Sequence, residues 1–292
     1  MAHQLSFLPQ KDKITNVASV RLRSPFRYAG GKTWLIPRIR QWLASLPSKP
    51  EIFFEPFAGG GIVGLSVAFE NLANHVVLVE LDPQVAAVWK TIINGDGEWL
   101  AERIEKFHFS LKTVDDVLEG INLDTQEQAF QTIVKNRVNR GGILAPGAGK
   151  VKNGENGKGI ASRWYPETLS KRIRKIHNIR ERFTFIEADG LDVIQKNLHK
   201  REVAFFIDPP YTSGGKKAGS RLYTHYELDH NALFSLCSKL TEDFLMTYSN
   251  DENTRQLARK HKLSMREIAM KNTHHAKMTE LLIGRNLDWL ID

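Results

Sequence analysis

Apolar and polar positions alternate along the chain with two periods. Short runs of branched and aromatic residues, such as Val203-Ala204-Phe205-Phe206-Ile207, are apolar on both faces, as central strands of a helix-covered parallel sheet must be. Longer stretches carry apolar residues three and four apart, which is helical spacing. The pattern predicts strands over residues 52–56, 76–81, 184–187, 203–207 and 244–249 and helices over 32–46, 61–71 and 83–94. Two further β-like runs, 263–271 and 278–287, read as a terminal hairpin. Strands alternating with helices define an α/β class with a largely parallel, Rossmann-like sheet. Residues 95–182 are polar and mostly helical, with no strand to match, and are expected as a domain inserted between two halves, 1–94 and 183–292.

Composition changes this picture little. The 292 residues are 41% hydrophobic and 25% charged, which suits a globular chain with a sizeable core. No stretch approaches the roughly 18 apolar residues of a membrane span, and the opening MAHQLSFLPQKDKIT lacks the apolar stretch of a signal peptide, so a cytoplasmic location is expected. The single cysteine, Cys237, excludes an internal disulfide and multi-cysteine zinc patterns. The ten histidines show no HExxH spacing, and no metal is expected.

Charge changes it more. Forty-one Lys and Arg against 33 Asp and Glu give a net charge of +8. The excess is concentrated between Lys135 and Arg182, where KRIRKIHNIRER follows the Gly-rich, Lys-studded GGILAPGAGKVKNGENGKGIASRW. A solvated helix face accounts for the first stretch alone, but a long irregular loop inside a compact domain calls for a purpose, and phosphate contact supplies one. Lys150, Lys152, Lys171, Arg172 and Arg174 are candidate phosphate contacts. Asn and Arg suit adenine and guanine edges, so Asn136, Arg137, Asn139 and Arg140 are candidate base readers, with structural or phosphate roles as the plainer use of each.

Chemistry is concentrated at strand ends. In Phe205-Phe206-Ile207-Asp208-Pro209-Pro210-Tyr211 a buried strand stops in an acid and two prolines, which lack the N–H that would continue the ladder and hold the turn stiff. A carboxylate, bare carbonyls and a ring held beyond a strand's carboxyl end form a candidate site. Gly30-Gly31-Lys32-Thr33 imitates a phosphate-binding P-loop, but Phe26 stands where its first glycine belongs and no apolar strand precedes it. Gly59, Gly61 and Gly64 do satisfy GxGxxG after a strand, with Glu80 at the end of the next one. That marks an adenosine cofactor without distinguishing NAD from S-adenosyl-L-methionine. FFIDPPY, the AGGK element and a basic insertion have no use in an NAD enzyme.

The order of these parts resembles the DNA adenine methyltransferases of the Dam type: Tyr28-Ala29-Gly30-Gly31-Lys32, Glu55-Pro56-Phe57-Ala58-Gly59-Gly60-Gly61, Glu80-Leu81-Asp82, the insertion, Glu187-Ala188-Asp189, Asp208-Pro209-Pro210-Tyr211 and Ser249-Asn250. The resemblance covers nearly the whole chain. It implies S-adenosyl-L-methionine as cofactor, with Tyr28, Ala29, Gly30, Lys32, Pro56, Phe57, Gly59, Gly61, Leu81, Gly190 and Asp208 at its site, Glu80 on the ribose and Asp189 on the adenine amine. It implies Asp208 to Tyr211 as the catalytic element, residues 95–182 as the target-recognition domain and double-stranded DNA as substrate. The resemblance allows a companion restriction endonuclease as partner. The chain departs from the commonest members in its Lys/Gly loop over 147–159.

An adenine amine is a weak nucleophile, because its lone pair is delocalised into the ring. If Asp208 and the Pro209 carbonyl each accept one amino hydrogen, the lone pair is freed towards a sulfonium methyl. Tyr211 would stack a base drawn from the duplex, with Tyr223 and Tyr226 closing over it or serving as core aromatics. A cytosine-amine methyltransferase, a catalytically silent DNA-binding module on the same fold and an NAD enzyme stay as rivals.

Overall fold

The computed structural model describes residues 20–28, 30–154, 157–210, 227–271 and 277–290. Among these residues seven strands, β1 (Ile52–Glu55), β2 (His75–Glu80), β3 (Phe183–Glu187), β4 (Val203–Ile207), β5 (Asp243–Ser249), β6 (Ser264–Lys271) and β7 (Lys277–Gly284), form one sheet in the order β3-β2-β1-β4-β5-β7-β6. The first five pair in parallel, and the β6–β7 hairpin joins antiparallel along the edge of β5.

The central strands are buried on both faces. On one, Phe53, Val76, Leu78, Ala204, Phe206 and Leu245 meet α1 (Ile36–Ser45), α2 (Ile62–Phe69) and α3 (Pro83–Thr91), and the same core runs on without a break into α4 (Gly97–Glu105), α5 (Leu111–Leu118), α6 (Thr125–Val138) and α7 (Pro166–His177). On the other, Phe54, Val77, Val79, Phe205, Ile207 and Met246 meet α8 (Gly190–Lys196) and the helix His230–Lys239, which carries the buried Cys237. This two-sided burial explains why β4 reads as an unbroken apolar run, since alternate side chains face opposite cores. Phe205 stacks on Phe54 with centroids 4.8 Å apart. Phe205→Ala should therefore cost about 3–5 kcal/mol of stability in a urea titration; a loss well under 1 kcal/mol would mean that the pair is not the packing anchor.

The largest departures from the sequence reading fall at three boundaries, each for a local reason. The first helix opens as a 3-10 turn, Thr33–Leu35, and becomes α-helical at Ile36, with Pro37 in the first turn where its missing N–H leaves no bond unmade. The helix expected over 83–94 stops at Thr91 and passes through a π-helical turn, Ile92–Asp96, in which Gly95 takes φ 124°. The last strand ends at Gly284 instead of 287, and Leu287 folds back into the core. The described residues between β2 and β3 are helical apart from turns and one isolated bridge, Asn139 to Lys150.

Candidate active site

The strand order places the site. β1 is flanked by β2 on one side and β4 on the other, so the chain reverses its direction of winding between β1 and β4, where an open α/β sheet binds ligands beyond its carboxyl ends. The β3, β2, β1 and β4 ends stand in a row about 14 Å long at the usual strand spacing of about 4.8 Å. That row carries Asp189, Glu80, the glycine turn and Asp208 in order.

The glycine turn is built for close approach. Gly59 and Gly61 have φ 46° and 60°, a region that favours glycine. The Tyr28 ring lies against the turn so tightly that a Cβ on Gly59 would meet it at 2.5 Å. Ser24 donates its hydroxyl to the Gly60 carbonyl at 2.5 Å, and the Trp89 indole N–H donates to the Gly59 carbonyl at 2.9 Å. Glu80 accepts from the Gly59 amide at 2.9 Å through one oxygen, and from the Leu81 and Asp82 amides through the other. Burial pushes its pKa up to about 7, against the pull of these amides. Asp189 caps α8, accepting from the Leu191 amide at 2.7 Å, and Gly190 fits beneath the β1 turn, where a Cβ would come within 2.4 Å of the Pro56 carbonyl and 2.9 Å of the Phe57 ring. Leu81 is 40% exposed beside Glu80, an apolar surface at the mouth of the row.

Glu55, at the tip of β1, is 3% exposed and accepts from the Gly64 amide at 2.7 Å, capping α2, whose own N-cap is the left-handed Gly61. A Cβ on Gly64 would come within 2.6 Å of this carboxylate, so the third glycine serves helix-to-strand packing. Burial drives the Glu55 pKa up to about 8, and the neighbouring Asp208 charge pushes the same way. A carboxyl with a raised folded-state pKa binds its proton more tightly when folded, so its contribution is present below the ordinary value of 4.5 and is lost as the pH rises through about 8. Across that window stability should fall with a slope of at most roughly 1.4 kcal/mol per pH unit, the limit for one proton released on unfolding. Glu55→Gln should flatten the fall in Tm between pH 5 and pH 8.5, roughly the window of that titration; an unaltered slope would assign the fall elsewhere.

Asp208 follows the last residue of β4, with Pro209 buried and Pro210 half-buried. Its Oδ1 accepts from the Thr247 hydroxyl at 2.6 Å and lies 3.0 Å from the Lys32 ammonium. Lys32 is itself 3% exposed, donates to the Gly30 carbonyl at 3.0 Å and lies 3.5 Å from Glu280 of β7. The AGGK lysine and the Asp-Pro-Pro tip, far apart in sequence, are thus in direct contact. Ala29, Tyr211, Tyr223 and Tyr226 lie outside the described residues.

The residues expected on DNA divide sharply. Asn136 is fully buried, accepting from the Arg27 amide and donating to the Arg27 and Gly142 carbonyls, so it is a brace and not an outward-facing reader. Arg137 is buried against the Pro25 carbonyl, and Asn139 donates to the Ile143 carbonyl. Their polar groups answer backbone groups that burial would otherwise leave unpaired. Arg172 reaches the Ser24 carbonyl, Arg174 is paired with Glu98 and Glu105, and Lys150 is paired with Asp115. Arg140, Lys152 and Lys171 are exposed. Thr247, Glu280, Trp89 and Ser24 do not stand out in the sequence; a lone threonine in the apolar FLMTY run is the one visible sign.

A doubly wound sheet with a glycine turn, a strand-end carboxylate and an Asp-Pro-Pro tip side by side makes a candidate adenosine-cofactor site. Residues 28–273 match the D12 class N6 adenine-specific DNA methyltransferase family, and the chain belongs to that family. It is 25% identical over 228 residues to Modification methylase LlaI of Lactococcus lactis subsp. lactis, a match covering 75% of this chain and 35% of that protein, so the chain spans about a third of the length of this curated relative. Solved structures with a loose likeness include the precorrin-6y C5,15-methyltransferase of Geobacter metallireducens GS-15 (TM-score 0.37, 10% identity, 89% and 91% of the two chains) and the rRNA methyltransferase aviRa of Streptomyces viridochromogenes (TM-score 0.36, 12% identity, 86% and 84%).

The cofactor of the family is S-adenosyl-L-methionine, and the residues present fit it. The glycine turn has no room for side chains, and Glu80 and Asp189 offer carboxylates for a ribose diol and an adenine amine along the same row. No helix among the described residues is long and apolar enough to cross a membrane.

Proposed function

We propose that this chain methylates the exocyclic N6 amine of adenine in double-stranded DNA, and that within its family it is of the Dam type. The observation that carries the reading is Asp208, held at the end of a fully buried strand by Thr247 and Lys32 and directly across the switch point from the glycine turn. The Dam-type assignment rests on motif order: AGGK, glycine turn and Glu80 precede the helical segment, and Asp-Pro-Pro follows it.

S-adenosyl-L-methionine supplies an electrophilic methyl group. The chain's residues do the rest. Glu80, Asp189 and Leu81 hold the adenosine end, and Tyr28 with Gly59 and Gly61 shapes the floor. Asp208 and the Pro209 carbonyl accept the two hydrogens of the amine, turn its lone pair towards the methyl group and stabilise the positive charge that develops on nitrogen. Asp208 then takes the proton or passes it to water. Because a paired adenine buries its amine, the base is drawn out of the duplex to reach this tip, and Tyr211 of the same motif is the residue proposed to stack it. Residues 95–182 act as the target-recognition part, with the exposed Arg140, Lys152 and Lys171 on the phosphate backbone. A cytoplasmic location and a companion endonuclease fit a modification enzyme.

The test is incorporation of tritiated methyl groups into duplex DNA by the purified chain, followed by mapping of modified bases. Label in N6-methyladenine is expected; label in cytosine alone, or none, would overturn the reading. For the backbone contacts, Lys171→Glu should weaken DNA binding and reduce the slope of log K against log salt by about 1. An unchanged slope would remove α7 from the interface.

A further inference from the structure

We infer that Thr247 is a positioning residue that selects which oxygen of Asp208 receives the amine. The inference rests on the proposed role of Asp208. Thr247 lies on β5, next to β4, one residue beyond the Ile207–Met246 pair, and is completely buried. β7 covers its other side, with Thr247 opposite Leu282. A hydroxyl in such a place is costly unless hydrogen-bonded, and its donation to Asp208 Oδ1 at 2.6 Å satisfies it.

The Lys32 ammonium, at 3.0 Å, reaches the same oxygen. Among the described residues both donors therefore make their closest approach to Oδ1, and no hydrogen bond reaches Oδ2. Two donors on one oxygen resist rotation of the carboxylate about its Cβ–Cγ bond, because turning it breaks both contacts. Oδ2 is left as the acceptor for the amino hydrogen, with its lone pairs undivided. Lys32 cannot hold this orientation alone: it is shared with the Gly30 carbonyl and with Glu280, so a shift towards Glu280 would release Asp208. The uncharged Thr247 hydroxyl, fixed in the interior of a strand, sets direction without adding charge.

A misdirected acceptor costs rate and leaves binding intact, and displacements on the scale of an ångström are worth about 10²-fold. Thr247→Val keeps the shape of the side chain and removes the hydroxyl. Its single-turnover methylation rate on duplex DNA should fall about 10- to 100-fold. Its affinities for S-adenosyl-L-methionine and for DNA should stay within about twofold, the pattern of an interaction made in the transition state. Thr247→Ser should restore most of the rate. Should Thr247→Val fail to fold, Thr247→Ala measured against Thr247→Ser gives the same comparison, since those two differ only in the hydroxyl. An unchanged rate in Thr247→Val, with Asp208→Ala inactive, overturns the positioning role alone. Activity surviving in both overturns the reading of Asp208 itself.

Discussion

Asp208→Ala should lower methyl transfer roughly 10³-fold or more while S-adenosyl-L-methionine still binds, the scale expected when a preorganised electrostatic partner is removed. The two outcomes separate because, on the proposed reading, the cofactor's adenosine end is held elsewhere. Glu80, Asp189 and the glycine turn hang on β2, β3 and β1, and their hydrogen bonds involve Gly59, Leu81, Asp82 and Leu191 rather than Asp208. Nor should the fold collapse, because Lys32 keeps Glu280 and the Gly30 carbonyl as neighbours. Tritium incorporation beside calorimetric cofactor binding reads both quantities. Undiminished turnover would end the proposal that this carboxylate accepts the amine.

The second large effect belongs to Lys32. Removing a buried cation and leaving its carboxylates costs about 3–5 kcal/mol, and the partial solvent access of Asp208 and Glu280, at 20% and 14%, puts the expected loss towards the lower end. Lys32→Met should lose that stability in urea and should also lose most methylation activity, since Asp208 would then face Glu280 without an intervening charge. Lys32→Arg is expected to fail as well: a planar fork does not fit three contacts disposed about one ammonium. Full stability in Lys32→Met would show that solvent already screens the pair and that the lysine is dispensable to the fold.

Much of this arrangement is legible in the chain because its signals are local. A strand buried on both faces is apolar at consecutive positions, so β4 and β5 stand out; prolines end a ladder wherever they fall; glycines mark a turn that tolerates no side chain. What is not legible depends on pairing between distant segments. Lys32 stands in an AGGK element, but nothing near it in sequence indicates Asp208 or Glu280 as neighbours. Thr247 looks like an ordinary strand threonine, because its value lies in β5 running beside β4. Asn136, Arg137 and Asn139 mislead for the opposite reason: polar residues beside a basic cluster suggest an exposed surface, whereas these turn inward to backbone carbonyls of residues 25–27 and 142–143. Charge density in a sequence reports composition, and only burial decides which cations remain available to a phosphate.

If residues 95–182 read the DNA as proposed, the continuous interior that α4 to α7 share with one side of the sheet limits how the chain could acquire a new target. Ile104, Phe130, Ile133 and Ile173 are sealed against the same apolar mass as Trp42 and Phe206, so transplanting the whole segment from a relative would open a wound in the structural body. The Lys/Gly loop has no such debt: its described residues from Pro146 to Gly159 are exposed or half-exposed. Divergence in what these enzymes read should gather in that loop, where new letters can be tried without disturbing the machinery beneath.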